Sequence, residues 1–383
     1  MKIYSEEKWK KVRLEECAVI TMGQSPASTT YNYEKEGIPF YQGNADFGDI
    51  YPKIKCYCTK PIKIANKEEI LLSVRAPVGK INIANTRCCI GRGLCSIKVK
   101  ENKCEMKFLY YLLKSKEKNL NERANGSTFK AINKNQISEI DFYLPNIEIQ
   151  KKIVLILDKL VEILRDKKEI LLQLEELSKS IFIEMFGDLS INNKNFEMKK
   201  IKEIAEIFIG VTYQPQDVVD LEEKGIVVLR SGNIQNFMLD FKDRLKIKKD
   251  IREKFFVRSK DILMCSRNGS SNLVGKVAII DNLTEKMTFG AFMTIIRSEY
   301  YTYLYNYFKS SYFKKSKIFR KTTTINQITK IELKNLIIPI PNIELQNQFA
   351  ERIKIIEKSK IEIQKSIEET QKLFDSLMEK YFG

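Results

Sequence analysis

Between residues 146 and 190 the apolar side chains fall in steps of four and three. Ile153, Leu157, Leu160 and Leu164 are followed by Leu171, Leu174, Ile181 and Met185, with Lys167 and Ser178 interrupting the series. Residues 342–383 carry the same pattern in Phe349, Ile353, Ile356, Ile363, Ile367, Phe374, Leu377 and Tyr381, interrupted by Lys360 and Thr370. Alternating steps of four and three make a heptad seam, the mark of a helix that lies along another helix. Each stretch predicts one helix of about 40 residues, about 60 Å long. Such a helix draws its stability from packing its apolar face rather than from propensity. The obvious partner for each is the other, paired antiparallel, with a globule held at either end of the rod. Pro145 and Pro341 stand just ahead of the two helices, where proline is tolerated. Gly187 predicts a left-handed cap at the end of the first.

The rest of the chain lacks that period. Residues 1–145 and 191–341 carry short β-rich runs such as KINIA, CSIKVK, KVAII and FMTIIR, punctuated by Gly, Asn and Pro. Helical stretches such as MKFLYYLLKSKEKNL and YTYLYNYFKSSYFKKSKIF lie among them. The two segments also repeat each other. At an offset of 196 residues, Val78-Gly79-Lys80 falls on Val274-Gly275-Lys276 and Leu144-Pro145-Asn146 on Ile340-Pro341-Asn342. Upstream the offset shrinks to 187, where Trp9, Leu14, Ala18 and Gly23 match Phe196, Ile201, Ala205 and Gly210. GIPFYQGNA from Gly37 resembles GIVVLRSGNI from Gly225. Two copies exclude a solenoid, which needs three or more. The expected architecture is α+β: two tandem globules, 1–145 and 191–341, separated by two long helices, 146–190 and 342–383, that form an antiparallel coiled coil with pseudo-twofold symmetry.

Charge follows the same division. Lys and Arg outnumber Asp and Glu by 9 in residues 1–145 and by 11 in 191–341, whereas 146–190 and 342–383 carry −2 and −1. A general lysine bias would have loaded the helices too, since lysine is a good helix-surface residue. Two basic globules on a near-neutral spacer suit a reader of two stretches of one nucleic acid duplex.

Other chemistry is thin. The chain has no histidine, which removes the commonest general base and metal ligand and every Ser-His or Cys-His pair. Its eight cysteines, seven of them in the first 104 residues, lack paired C-x2-C spacing and are expected to be reduced and mostly buried. Gly79-Lys80 and Gly275-Lys276 suggest a phosphate loop, but positions 74 and 270 hold Val and Ser where it requires Gly. GRG at 91–93 reads as a turn. The start of the chain has no apolar signal core and no apolar run approaches bilayer length, so a cytoplasmic protein without membrane partners is expected.

A globule closing on LPNIEIQKKIVLILDKL, then a long helix, then a second globule closing on IPNIELQNQFAERIKII resembles the specificity subunit of Type I restriction-modification enzymes. The resemblance covers the whole chain. EEILLSVRAPVGKINIA and KDILMCSRNGSSNLVGKVAII are similar to a strand-turn-strand that recurs in that family. It implies that each globule is a target recognition domain reading one half of a bipartite DNA site. It implies that the helices set the spacing and dock two methyltransferase subunits, which hold S-adenosylmethionine and methylate adenine. A restriction subunit using ATP and Mg can join them. The specificity subunit would hold no cofactor or metal and do no chemistry, consistent with the lack of an Asn/Asp-Pro-Pro-aromatic methyltransferase motif.

Arg and Lys suit guanine, and Asn and Gln suit adenine. On that basis the candidate DNA-contacting residues are Gln42, Asn44, Arg75, Lys80, Ser127, Thr128 and Lys130 in the first globule. In the second they are Arg230, Asn233, Arg267, Asn268, Lys276, Lys321, Thr323 and Asn326. Each has a plainer reading: Gly43-Asn44 and Gly232-Asn233 as tight turns, Lys80 and Lys276 as solvated strand residues. The competing functions are a stand-alone methyltransferase or nuclease, a coiled-coil scaffold without DNA binding, and the specificity subunit of a system without a motor. The missing catalytic motifs oppose the first and the segregated charge the second.

The charge distribution makes a prediction. Titrated by fluorescence anisotropy, duplex binding weakens steeply between 50 and 200 mM salt, by roughly a thousandfold for a handful of phosphate contacts. A flat response would mean that the basic globules are not on phosphates.

Overall fold

The computed structural model describes residues 9–123, 131–281, 283–316, 318 and 326–383. It divides into two compact units, Met1–Lys168 with Lys365–Gly383, and Glu169–Gln364. The division cuts each long helix, Ile147–Phe186 and Ile343–Phe382, instead of falling at its ends. Each unit therefore holds one globule, half of the first helix and half of the second, where the sequence pattern separates globules from helices.

In the first unit an antiparallel sheet runs in the order Ala18–Met22, Leu94–Val99, Ile70–Ser73, Ile81–Ile83. A second, mixed sheet runs Tyr31–Asn32, Cys56–Cys58, Ile38–Tyr41, Cys88–Ile90, Ile64–Ala65, with Ile38–Tyr41 and Cys88–Ile90 parallel. A two-stranded ladder, Lys10–Arg13 with Asp141–Leu144, closes the globule beside the long helix. The strands are continuous apolar runs because both faces are buried: Ile70, Leu71 and Leu72 are all inaccessible, with Ile70 and Leu72 in one core and Leu71 in another.

The second unit repeats this order. Its antiparallel sheet runs Glu206–Ile209, Met293–Arg297, Ile262–Cys265, Val277–Ile279. Its mixed sheet runs Val218–Val219, Lys246–Ile247, Ile226–Leu229, Met287–Phe289, the last pair parallel. Glu197–Lys200 pairs with Ile337–Ile340 as the closing ladder. The predicted runs KINIA, CSIKVK, KVAII and FMTIIR lie on strands, and MKFLYYLLKSKEKNL forms helices Met106–Ser115 and Glu117–Arg123. The stretch from Tyr301 breaks at Ser310, whose hydroxyl caps a second short helix, Ser311–Lys315.

The repeated PNIExQ sentence starts the long helices. Asn146 Oδ1 accepts from Ile149 N–H at 3.0 Å and Asn342 Oδ1 from Leu345 N–H at 2.9 Å, as helix N-caps do. Four residues on, Gln150 Nε2 donates back to the Pro145 carbonyl and Gln346 Nε2 to that of Pro341. Gln150 is 1% exposed, and its Oε1 accepts from the N–H of Glu105, the residue that caps helix Met106–Ser115. One buried amide thus fastens the start of the long helix to the start of the globule's own helix. Gly187 ends the first long helix at φ 72°.

Inside the first unit the seam residues Ile153, Leu157, Leu160 and Leu164 are buried, with Ile367 and Phe374 from the far end of the second helix. Ile153, Leu157 and Leu160 share a core with Phe374, Met378 and Tyr381 and with globule residues Phe108 and Tyr111. Here the two helix segments run antiparallel: the Ile153 end lies with Met378–Phe382, while Lys167 reaches Ser366 Oγ and Thr370 Oγ1, both at 2.7 Å. The Lys167 and Thr370 interruptions therefore answer each other. Inside the second unit Phe349, Ile353 and Ile356 are buried with Phe182 and Phe186, and Leu171, Leu174 and Ile363 are half-buried.

The Lys360 interruption also has a partner. Its ammonium lies 2.7 Å from Glu175 and 2.9 Å from Glu357, and Glu175 meets Lys309 of the globule at 3.0 Å. Burial pushes the Glu175 carboxyl up, but Lys309 and Lys360 together outweigh it and hold the group down to about 2. A carboxylate with a depressed folded pKa stabilises above its unfolded value and loses that contribution as pH falls through its folded one. The Glu175 contribution is therefore full above about pH 4.5 and lost towards pH 2. Glu175→Gln leaves two ammoniums facing each other and is expected to cost about 2 to 3 kcal/mol at pH 7. Urea melts at pH 7 and pH 3 check this: the gap between variant and parent should narrow at the lower pH, and an equal gap at both would remove the charge from the account.

Candidate nucleic-acid interface

In the first unit five strand ends are laced by backbone bonds. Gly91 N–H donates to Tyr41 O at 2.8 Å, Gly23 N–H to Leu94 O at 2.9 Å, and Val74 N–H to Gly93 O at 2.9 Å. Gln24 N–H donates to Ile90 O and Arg92 N–H to Ser25 Oγ. The approach is close enough to need glycine: a Cβ on Gly23 would stand 2.2 Å from Gly91 O, and one on Gly93 2.5 Å from Gln42 O. Arg75 forms a bridge with Ala131, and Ile132 N–H donates to Val74 O. This lacing leaves Gln42, Arg75 and Arg92 exposed around it.

The second unit builds the same cluster. Gly290 N–H donates to Leu229 O at 3.0 Å, Gly210 N–H to Met293 O at 3.1 Å, and Ser266 N–H to Phe292 O at 3.0 Å. A Cβ on Gly210 would again stand 2.2 Å from a glycine carbonyl, that of Gly290. Arg267 forms a bridge with Gln327, and Ile328 N–H donates to Ser266 O. Arg75 and Arg267 thus hold the same place in the repeat, each exposed and each bridged to the segment that returns towards the closing ladder. Arg267 lies over the ring of Phe292, 5.3 Å from its centroid, and Phe292 is 56% exposed. Asn268 Nδ2 donates to Ser231 Oγ at 3.1 Å, and Asn326 Nδ2 to Gly269 O at 3.2 Å. Arg230, Arg267, Asn268 and Asn326 therefore belong to one loop cluster.

Other candidates lie elsewhere. Asn233 is 2% exposed; its Oδ1 accepts from Arg230 N–H and its Nδ2 donates to Asp240 O and Asp243 O. It is committed to shaping the turn, and a base edge could reach it only by undoing those bonds. Asn44 is half-buried at the start of a 3-10 turn, Asn44–Asp46. Lys80 pairs with Glu117 at 2.6 Å, a contact between an exposed and a half-buried side chain that a phosphate could replace at little cost. Lys276 is half-buried at the foot of its turn and makes none of the cluster's contacts. Ser127, Thr128, Lys130, Lys321 and Thr323 lie outside the described residues.

Sequence reading passed over Arg92, which stands between the two glycines of a run taken only as a turn. It also passed over Phe292, whose exposure no pattern announces. All eight cysteines are free and seven are buried. Burial pushes Cys89 and Cys265 up to about 11 and Cys88 and Cys95 to about 12, far from nucleophilic use. Among the described residues no helix is long and apolar enough to cross a membrane.

Comparison with known proteins places this geometry. The family model described as the Type I restriction modification DNA specificity domain matches residues 6–176 and again 193–372, one match per repeat. A Methanocaldococcus jannaschii protein that bears the name MjaX specificity subunit of a type I restriction enzyme is 44% identical over 180 residues. That match spans 46% of this chain and 42% of the relative. The MjaVIII specificity subunit of the same organism is 25% identical over 377 residues, 92% of this chain and 86% of the relative. The crystal structure of a Type I restriction-modification S subunit from M. genitalium aligns over 100% of this chain and 98% of its own, at a TM-score of 0.60 and 15% identity, a likeness of fold. The chain belongs to the Type I restriction-modification DNA specificity family.

Proposed function

We propose that this chain is the non-catalytic reader of a Type I restriction-modification complex, each unit taking one block of a two-part duplex site. The observation that carries the reading is the duplicated loop cluster. The same laced strand ends occur once per unit, each presenting an exposed arginine in the same bridge, Arg75 or Arg267. Base edges in the major groove are read by such projecting donors, and the basic surface around them supplies sequence-independent affinity. Two blocks follow from two units. The gap between them follows from the paired helices, whose seam fixes their register.

The helices also leave apolar side chains exposed on other faces, among them Leu155, Leu172 and Leu177 on the first and Ile355, Ile361 and Leu373 on the second. In this reading they dock two methyltransferase subunits. S-adenosylmethionine belongs to those partners, and ATP and Mg to a restriction subunit where one is present. Adenine methylation mapped across the host genome, with and without this gene, tests the reading. Deleting the gene should abolish one split motif, two short blocks around a fixed unspecified gap. An unchanged map would count against it. In the purified chain, Arg75→Ala and Arg267→Ala should each weaken specific binding by about 1 to 3 kcal/mol and change non-specific binding far less. Competition binding against unrelated duplex separates the two effects, and equal losses on both would make these arginines phosphate contacts only.

A further inference from the structure

The two units fill one slot with different chemistry. In each, a strand of the mixed sheet runs parallel to its neighbour, Ile38–Tyr41 beside Cys88–Ile90 and Ile226–Leu229 beside Met287–Phe289. Its last carbonyl, Tyr41 O or Leu229 O, accepts from a glycine N–H, Gly91 or Gly290. The next residue has its own N–H held by the final side chain of the following 3-10 turn. Gln42 N–H donates to Asp46 Oδ2 at 2.8 Å, and Arg230 N–H donates to Asn233 Oδ1 at 2.8 Å. Two independent hydrogen bonds thus put Gln42 and Arg230 in the same place of the repeat, at the rim of the loop cluster.

Their surroundings differ as their chemistry does. Gln42 is exposed. The Arg230 side chain is 34% exposed, and its Nη2 donates to both oxygens of Asp243 at 2.8 Å, while its buried Nε has no partner among the described residues. Asp243 is itself 64% exposed, so this pair adds little stability. Its effect is to fix the plane of the guanidinium, and Nη1 makes no hydrogen bond among the described residues. A head held in one orientation with donors to spare is prepared for a ligand made of acceptors.

We propose that this slot reads one base pair in each half of the site, with Gln42 taking an adenine and Arg230 a guanine. This rests on the reading of both units as DNA readers. An amide offers one donor and one acceptor side by side, matching adenine N6 and N7; a guanidinium offers donors only, matching guanine O6 and N7. Because the slot is shared and its occupant differs, the two blocks of the site differ at that position.

Selection of a randomised duplex library on the full-length chain, followed by sequencing, tests this. The unaltered chain returns two blocks. Arg230→Gln should convert one guanine to adenine in one block, with a preference change of about tenfold or more, and leave the other block intact. Gln42→Arg should convert one adenine to guanine in the other block. Gln42 is exposed, so its replacement leaves the core untouched and carries the test even where Arg230→Gln is lost to misfolding. Variants that return the unaltered motif, or that change both blocks, overturn the assignment. An unaltered chain that returns no two-block motif removes the DNA-reading role, and the assignment with it.

Discussion

Neither long helix can bury its apolar seam alone, and the rest of the architecture follows from how that is solved. Each seam is covered partly by the other helix and partly by a globule, so that Phe108 and Tyr111 of the first globule pack on Phe382 and Phe374 of the chain's last helix. The end of the chain is therefore part of the first unit's core. In the second unit, Phe182 and Phe186 of the first helix pack on Tyr303 of the globule and Phe349 of the second helix. A globule in this protein is not finished until both helices have been made.

The polar residues of the helices add specificity to that packing. Apolar seams slide in steps of a heptad at modest cost, whereas a polar group buried in a seam has to find its partner. Lys167 finds Ser366 and Thr370; Lys360 finds Glu175, which also holds Lys309 of the globule. The pairs are not copies of each other under the repeat, so they fix one register between two similar helices. In the proposed reading, where the helices set a length, such a device holds that length constant. The excess positive charge stays off the helices and on the globules, where phosphates would lie.

Much of this was legible in the sequence because it rests on local rules. The prolines of the PNIExQ repeat mark where both helices begin, while the Asn cap and the back-bonding glutamine emerge only in the structure. Gly23 and Gly210, matched at an offset of 187, make the same bond and the same close approach to a glycine carbonyl. What escaped depends on distant parts of the chain. Glu175 lies between seam positions and gains meaning only from Lys309 and Lys360. Asn233 has the composition of an adenine reader, yet its amide is drawn inward by two carbonyls beyond the turn. Gln42 and Arg230 align only once the strand pairing shows where each strand ends. The cut of the units through the helices is invisible to a heptad count, which records what a helix buries and not against what.

The central proposal is that the length of the paired helices sets the gap between two independently read blocks. The most direct test inserts one heptad after Lys168 and one after Gln364, which keeps both seams in phase and lengthens each helix by about 10 Å. Library selection on the lengthened chain should return the same two blocks with the gap widened by about three base pairs, at about 3.4 Å each. The same blocks at the original gap, or altered blocks, would contradict the account.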